Sequence, residues 1–215
     1  MTIETYPREV EAIVAGGHEI GHHGWTHDPP AILGEGEEEA GLVRANEVIE
    51  RFTGKKARGY RSPSWDLSDQ TVDLLLKYGF TYDSSMMGHD WMPYYARTGD
   101  VIHDSEPTEF GQETSLVEMP ISWSLDDFPH FEYLRTPQGL FPGLQNANNV
   151  LENWCDEYTY MTRNTDWGML TYTFHPFVIG RGHRMLMLER LIQNLLEQGA
   201  EFVTLEEGVK RWQAR

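Results

Sequence analysis

Four histidines fall within one run of eleven residues, Gly17 to His27, although the whole 215-residue chain has only nine. Two of them, His23 and His27, are four residues apart. That spacing lets two imidazoles bind one cation, either from one turn of helix or from a strand end and the loop that follows it. The run therefore predicts a metal site with His23 and His27 as ligands. The alternative for an isolated pair is a surface cluster of histidines that binds nothing.

The segment His18–His22 also satisfies the H-E-x-x-H pattern of zinc proteases. That pattern requires a regular helix to bring both histidines and the glutamate to one face. The run from position 16 to position 24 contains four glycines, and each costs about 1 kcal/mol relative to alanine inside a helix. We therefore interpret His18 and His22 as residues that support the site or the fold.

The residues before the run predict a helix and then a strand. Tyr6 to Ala15 has apolar residues at helical spacing and ends at Gly16-Gly17, which is typical of a glycine C-cap. We expect a short buried strand from about Glu19. It would place His23 at its carboxyl end and His27 in the loop beyond, where α/β folds keep their reactive groups.

Two later segments also place polar groups at predicted strand ends. A strand through Ala57–Tyr60 leads into Arg61-Ser62-Pro63-Ser64-Trp65, a loop broken by proline, and a strand from Leu170 is closed by His175-Pro176. Three segments, far apart in the chain, thus present histidine or arginine side chains where strands end.

With these three segments, the chain resembles the polysaccharide deacetylase (NodB-homology) family, metal-dependent carbohydrate esterases that remove N-acetyl groups. His23-x-x-x-His27 fits the family's metal-binding pair, Arg61–Trp65 its Arg-x-Pro motif, and His175-Pro176 the segment with its catalytic histidine. The phrases GHEIGHHGW, YDSS and FHPFVIGRGHR are most similar to the branch of intracellular peptidoglycan deacetylases and related allantoin and cyclic-imide hydrolases. The resemblance spans essentially the whole chain.

The resemblance implies an α/β fold, a distorted (β/α) barrel, and hydrolysis of a carbon–nitrogen amide bond. It implies a divalent metal, zinc being the expected one, bound by His23 and His27. His175 would be the general acid, and Arg61 would orient the catalytic base. The implied reaction is N-deacetylation of a glycan or peptidoglycan fragment in carbohydrate metabolism.

Two departures from the family pattern leave alternatives open. No residue matches the family's first motif, an aspartate pair at the end of the first strand, so we expect a chain truncated at its N-terminus and a barrel lacking its first strand or two. This motivates the hypothesis of a non-catalytic remnant. Gly24 stands where polysaccharide-active members usually have Ser or Thr, and this, together with the lack of an apparent signal peptide, motivates hydrolysis of a small cyclic amide such as allantoin or a cyclic imide. Asp90, Asp126 and Asp127 are candidates to bind substrate or replace the lost base.

Composition predicts one soluble domain over residues 1–215. Hydrophobic residues make up 40% of the chain, which is enough for a sizeable core. The net charge of −17 disfavours nucleic acid and anionic membrane surfaces as partners. A single cysteine, Cys155, and no apparent signal peptide or membrane span predict a cytoplasmic protein. Because an incomplete barrel would expose apolar edges, we also expect homo-oligomers or reduced stability.

The remaining pattern alternates helices and strands, which is typical of a mainly parallel sheet. The stretch between Gly88 and Gln112 is predicted to be irregular. Trp65, Trp91 and Trp123 lie in loops or at strand ends, where their rings could stack on a sugar or heterocycle, although packing is the default for such side chains. The predicted helices are 41–52, 68–78, 147–162 and 185–198, and the predicted strands are 80–83, 116–123 and 202–205, followed by a short terminal helix.

Overall fold

A computed structural model describes residues 2–137 and 139–215 of the chain. These residues divide into two compact units. The first comprises residues 2–86, 93–119 and 203–215, and the second residues 87–92 and 120–202. The prediction that residues 1–215 form a single domain stays a prediction.

Among the described residues, helices and short strands alternate along the chain. The helices are α1 (Thr2–Thr5), α2 (Pro7–Ala15), α3 (Glu37–Thr53), α4 (Thr71–Lys77), α5 (Asp127–Phe131), α6 (Ala147–Asn164), α7 (Pro176–Ile179), α8 (Gly182–Glu197) and α9 (Leu205–Gln213). The strands are β1 (Gly59–Tyr60), β2 (Tyr82–Asp83), β3 (Tyr94–Thr98), β4 (Gln112–Glu118), β5 (Leu134–Thr136) and β6 (Gly139–Phe141).

The first unit contains a four-stranded sheet in the order β1-β2-β4-β3. The first three are parallel, and β3 is antiparallel to β4. A single parallel bridge between His22 and Tyr60 extends the sheet beyond β1. In a parallel sheet the carboxyl ends of neighbouring strands meet at one edge, so the residues that follow His22, β1, β2 and β4 are brought together there.

Helices α3 and α4 pack against this sheet, and the apolar side chains between them form a core. Leu42 and Ile49 on α3 and Leu75 on α4 are almost fully buried, and they belong to one cluster with Tyr60 and Leu116. Helix α3 ends at Gly54, which takes the left-handed conformation (φ 78°) that favours glycine at a helix C-terminus.

The second unit is built on the packing of α6 against α8. Trp154 on α6 is fully buried, and it shares a core with Phe131 and with Met187 and Leu191 of α8. The amide side chain of Asn146 caps α6 by accepting a hydrogen bond from the backbone N–H of Asn148 at 2.8 Å.

The predicted helices are confirmed, with boundaries shifted by a few residues. The 68–78 prediction is α4, which begins at Thr71 because Ser68 caps a turn ahead of it rather than the helix, its hydroxyl accepting the N–H of Gln70. Helix α3 begins four residues earlier than predicted, at Glu37.

Several strand predictions were wrong. The segment from Glu19 forms only the bridge at His22, and the segment before His175 forms only one bridge, Asp126 to Thr173. Residues 202–204 form no strand, and α9 starts at Leu205. The strand predicted at 116–123 is β4, which spans 112–118. The stretch predicted to be irregular contains β3, which forms by pairing with β4.

None of the helices in residues 2–137 and 139–215 combines the length and apolar character needed to cross a membrane.

Candidate active site

His23 and His27 lie together in the loop after the His22 bridge. Their ring centroids are 5.0 Å apart, and both side chains are exposed. Nδ1 of His23 lies 2.6 Å from the carbonyl oxygen of Arg61. A carbonyl oxygen can only accept, so Nδ1 carries the hydrogen, and in the neutral ring Nε2 has the lone pair that a metal needs. The geometry therefore suits two imidazole ligands on one cation.

The neighbouring His22 is a structural residue. It is 1% exposed, its Nε2 lies 3.1 Å from the carbonyl oxygen of Leu42, and its Nδ1 accepts the N–H of Gly24 at 3.1 Å. Burial lowers the pKa of His22 to about 4, so the ring is neutral at physiological pH. Both ring nitrogens are engaged and residues 18–22 are not helical, so the zinc-protease pattern is excluded. His18 is exposed.

Gly24 shapes the loop between the two candidate ligands. Its φ is +74°, and a Cβ at this position would lie 2.7 Å from the carbonyl oxygen of Thr26. A residue with a side chain would be strained here and would also collide with the backbone. Backbone geometry therefore accounts for this glycine, so it carries no information about the substrate.

Arg61 follows β1 and is held by the turn after β2. Its Nε donates to the carbonyl oxygen of Ser84 at 2.9 Å, and one terminal nitrogen donates to the Ser84 hydroxyl at 2.7 Å. The loop beyond it is strained, because Ser64 and Trp65 both have positive φ (57° and 54°). The structure thus brings three predicted site residues together in the first unit: His23, His27 and Arg61.

In the second unit, His175 forms a hydrogen-bonded pair with Asp127. Its Nδ1 is 2.7 Å from Oδ1 of Asp127, and its backbone N–H donates to Oδ2 of the same carboxylate at 3.0 Å. The Asp127 side chain is fully buried, whereas that of His175 is 30% exposed. Asp127 therefore fixes the hydrogen on Nδ1 and would stabilise the imidazolium, leaving Nε2 as the atom that can exchange a proton.

Two short helices hold this pair, and Arg184 ties them together. Asp127 is the first residue of α5, and His175 caps α7. The buried guanidinium of Arg184 donates to the carbonyl oxygens of Phe131, at the end of α5, and Val178, in α7, at 3.1 and 2.7 Å. The phrase GRGHR in the sequence thus contains a structural arginine.

Asp126, Asp127 and His175 are the one group of three metal-ligand side chains that lie close together in the described part of the chain. Two tetrahedral ligands of one zinc ion are about 3.4 Å apart when each lies about 2.1 Å from it. The 2.7 Å contact between Asp127 and His175 is instead the length of a charge-assisted N–H···O bond. Oδ1 of Asp126 accepts the N–H of Phe128 at 2.7 Å, as a helix cap does. The group therefore fits proton transfer better than metal binding.

The predicted tryptophans have distinct surroundings. Trp91 is half-buried, and its indole N–H donates to Glu157 on α6 at 2.9 Å, which indicates a packing role. Trp123 is 39% exposed at the start of a short 3₁₀ turn, and Trp65 is half-buried in the strained loop. Their roles in substrate binding stay predictions.

Sequence reasoning did not identify Asp127 as the partner of His175, because it left Asp90, Asp126 and Asp127 equivalent. The structure separates them: Asp127 bonds His175 at 2.7 Å, Asp126 caps α5 with its Oδ1 3.8 Å from Nδ1 of His175, and Asp90 is exposed. Because Asp127 and His175 are 48 residues apart in the sequence, no local pattern indicates that they pair. The adjacent aspartates just before a helix are a capping pattern that could have indicated which one caps and which one is left for His175.

The chain is similar to proteins of known families. Residues 1–82 match the sequence model of the family described as polysaccharide deacetylase. A peptidoglycan deacetylase of Helicobacter pylori is 35% identical over 217 residues, which cover 96% of this chain and 74% of that protein. Among solved structures, a polysaccharide deacetylase of Mycobacterium smegmatis has a TM-score of 0.83 at 30% identity, over 99% of this chain and 69% of that one. The allantoinase PuuE has a TM-score of 0.75 at 20% identity, over 99% of this chain and 64% of that one, a likeness of fold alone. These likenesses confirm the predicted α/β fold.

Proposed function

Since the chain belongs to the polysaccharide deacetylase family, we propose that it is a zinc-dependent deacetylase that removes N-acetyl groups from peptidoglycan or a related glycan. The observation that carries this proposal is the Asp127–His175 pair. The amine that leaves in amide hydrolysis is a poor leaving group until it is protonated, so the reaction needs a positioned acid. His175, with Nδ1 held by a buried carboxylate, is suited to deliver a proton from Nε2.

His23 and His27 would hold the zinc ion. When bound, zinc lowers the pKa of a water molecule and polarises the carbonyl of the amide. The hydrogen bond from His23 to the Arg61 carbonyl would select the ring tautomer that binds metal through Nε2. Arg61 is itself held through Ser84, which restrains the backbone that accepts this bond.

The second candidate, hydrolysis of a small cyclic amide, loses one of its two motivations. It was suggested by the lack of an apparent signal peptide and by Gly24, and the identity of Gly24 follows from its positive φ and its close approach to Thr26. The non-catalytic hypothesis is opposed by the Asp127–His175 pair, because a buried carboxylate bonded to an imidazole that is 30% exposed is the arrangement that a general acid requires.

The test is release of acetate from N-acetylglucosamine oligomers by the zinc-loaded chain, with allantoin and a cyclic imide as competing substrates. The His175→Ala variant should lose activity. His183→Ala is the matched control, because His183 is exposed on α8, outside the paired cluster. Absence of acetate release by the zinc-loaded, unsubstituted chain would refute the deacetylase proposal. Faster turnover of a cyclic amide would replace it with the second candidate.

A further inference from the structure

A second pair of acidic groups lies at the sheet edge in the first unit. Asp83 ends β2 and Glu118 ends β4, and the two residues are direct partners in the parallel register of these strands. Both are 0% exposed. The proposed deacetylase chemistry makes no use of them.

Each carboxyl group has one oxygen that is fully satisfied. Oδ1 of Asp83 accepts the hydroxyl of Ser85 at 2.7 Å, and Oε1 of Glu118 accepts the backbone N–H groups of Ser85 and Met86 at 2.7 Å each. The other oxygens, Oδ2 of Asp83 and Oε2 of Glu118, are buried and receive no hydrogen bond from any donor group in the described residues. One hydrogen placed between these two oxygens would satisfy both of them.

That hydrogen can come from the pair itself, because Asp83 and Glu118 lie opposite each other in the strand register and Ser85 is hydrogen-bonded to both carboxyl groups. Two ionised carboxylates cannot hydrogen-bond, since both only accept, and two like charges in contact away from water repel strongly. With one proton between them, the contact becomes a charge-assisted O–H···O bond and the pair carries a single negative charge.

The electrostatic surroundings agree with one retained proton. Burial raises the pKa of Asp83 to about 6, although the Arg61 guanidinium opposes the rise. Burial and the neighbouring Asp83 charge raise the pKa of Glu118 well above its usual range. Tyr60, which interacts electrostatically with Asp83, stays neutral because burial raises its pKa further. One negative charge on the pair is thus balanced by Arg61.

The pair is linked to Arg61 through the two serines that follow Asp83. Ser85 connects both acids, and its hydroxyl also accepts the backbone N–H of Ser62 at 2.9 Å. Ser84, between Asp83 and Ser85, accepts two hydrogen bonds from Arg61. If both acids were ionised, two like charges would lie next to each other beside the Ser84–Ser85 turn.

We propose that Asp83 and Glu118 share one proton and act as a positioning unit, which holds the Ser84–Ser85 turn and through it Arg61. The positioning role rests on the proposed function, whereas the shared proton does not.

The first test is infrared spectroscopy near neutral pH, where a protonated carboxyl group gives a carbonyl band distinct from those of carboxylates. The unsubstituted chain should show the band, and Glu118→Gln should lose it. Glu113→Gln is the matched control, because Glu113 is exposed on the same strand. Absence of the band from the unsubstituted chain would overturn the shared proton.

The second test uses the geometry of amides. In Glu118→Gln the amide oxygen can accept from Ser85 and Met86 while its NH₂ donates to Asp83, and Asp83→Asn allows the reverse arrangement. Each single variant should therefore keep its melting temperature, whereas the double variant places two NH₂ groups in contact and should melt lower. If both acids were ionised, each single substitution would remove a contact between like charges and raise the melting temperature, which would also overturn the proposal.

The positioning role is tested by kinetics. In the unsubstituted chain, kcat should fall as pH rises both through loss of the shared proton and through loss of the acid proton of His175, with KM little changed, and Glu118→Gln should keep only the second contribution. An identical profile in the variant would refute positioning. If the unsubstituted chain releases no acetate at any pH, the proposed function fails, and the infrared and melting results still decide whether the proton is shared.

Discussion

The Asp127→Asn variant tests the proposed acid most directly. In the native site, two hydrogens of His175, on Nδ1 and on the backbone nitrogen, are bonded to the two oxygens of one buried carboxylate. Asparagine offers one oxygen and one NH₂ group. The backbone N–H cannot move its hydrogen, so the amide oxygen must face it and the NH₂ must face Nδ1. The ring then carries its hydrogen on Nε2 and cannot become an imidazolium without a clash of donors.

The structure sets the expected size of the effect. A hydrogen bond to a charged group contributes about 1.5–3 kcal/mol and a neutral one about 0.5–1.5 kcal/mol. Replacing the bonds to the Asp127 carboxylate by bonds to a neutral amide should therefore lower the free energy of unfolding by about 1–2 kcal/mol. The fold should therefore survive. Loss of a positioned general acid typically lowers kcat by a factor of about 10² to 10⁴, and KM should change little because Asp127 is buried and does not face the substrate.

The assay is acetate release by zinc-loaded protein, combined with ¹⁵N NMR of the histidine rings to identify the tautomer of His175. Asp126→Asn is the matched control, because asparagine caps a helix as well as aspartate does and Asp126 caps α5. An Asp127→Asn variant with unchanged kcat would refute the assignment of His175 as the acid. Equal losses in both variants, with loss of zinc, would instead show that this group binds the metal.

Three further predictions concern the first unit. The His23→Ala/His27→Ala variant should lose the near-stoichiometric zinc that the unsubstituted chain keeps after loading and desalting, measured by elemental analysis; zinc retained by the variant would place the metal elsewhere. Gly24→Ala should lower the free energy of unfolding by more than the roughly 1–2 kcal/mol of left-handed strain, whereas Gly17→Ala, with φ +78° and open space around its Cβ position, should show that strain alone. Burial raises the pKa of Glu118 in the folded state. At a pH between the unfolded and folded pKa values, the folded chain therefore holds a proton that the unfolded chain releases. The contribution of this proton to stability should therefore fall by about 1.4 kcal/mol per pH unit from the ordinary glutamate pKa of about 4.3 up to the raised pKa of Glu118, and denaturation of Glu118→Gln should lack that slope.

The parts of the site that could be predicted are those encoded locally. His23 and His27 are four residues apart, so their proximity hardly depends on the rest of the fold. The apolar periodicity of α3, α6 and α8 likewise predicted helices, because a helix makes its own backbone hydrogen bonds. In each case the interaction lies within a few residues of sequence.

The parts that could not be predicted depend on distant partners. Strand β3 exists because β4 supplies its hydrogen bonds, so its own sequence did not indicate a strand. The segments at Glu19 and before His175 had strand-like composition but form only single bridges. Asp83 and Glu118 are joined by strand register across 35 residues, and the phrase YDSS gave no indication that its aspartate meets another acid.

Exposure of the reactive groups bears on the choice between a polymer and a small cyclic substrate. Small ligands are usually enclosed, with most of their surface buried in a concave pocket. His23 and His27 are both exposed, and neither lines the cavity of about 430 Å³ beside α3 that is lined by Trp25 and Arg44. A glycan chain needs only local contact with such an open loop, whereas a free heterocycle would have few groups to hold it. We therefore expect kcat/KM to rise with oligomer length for N-acetylglucosamine substrates, and equal values for the monosaccharide and the longer oligomers would contradict this reasoning.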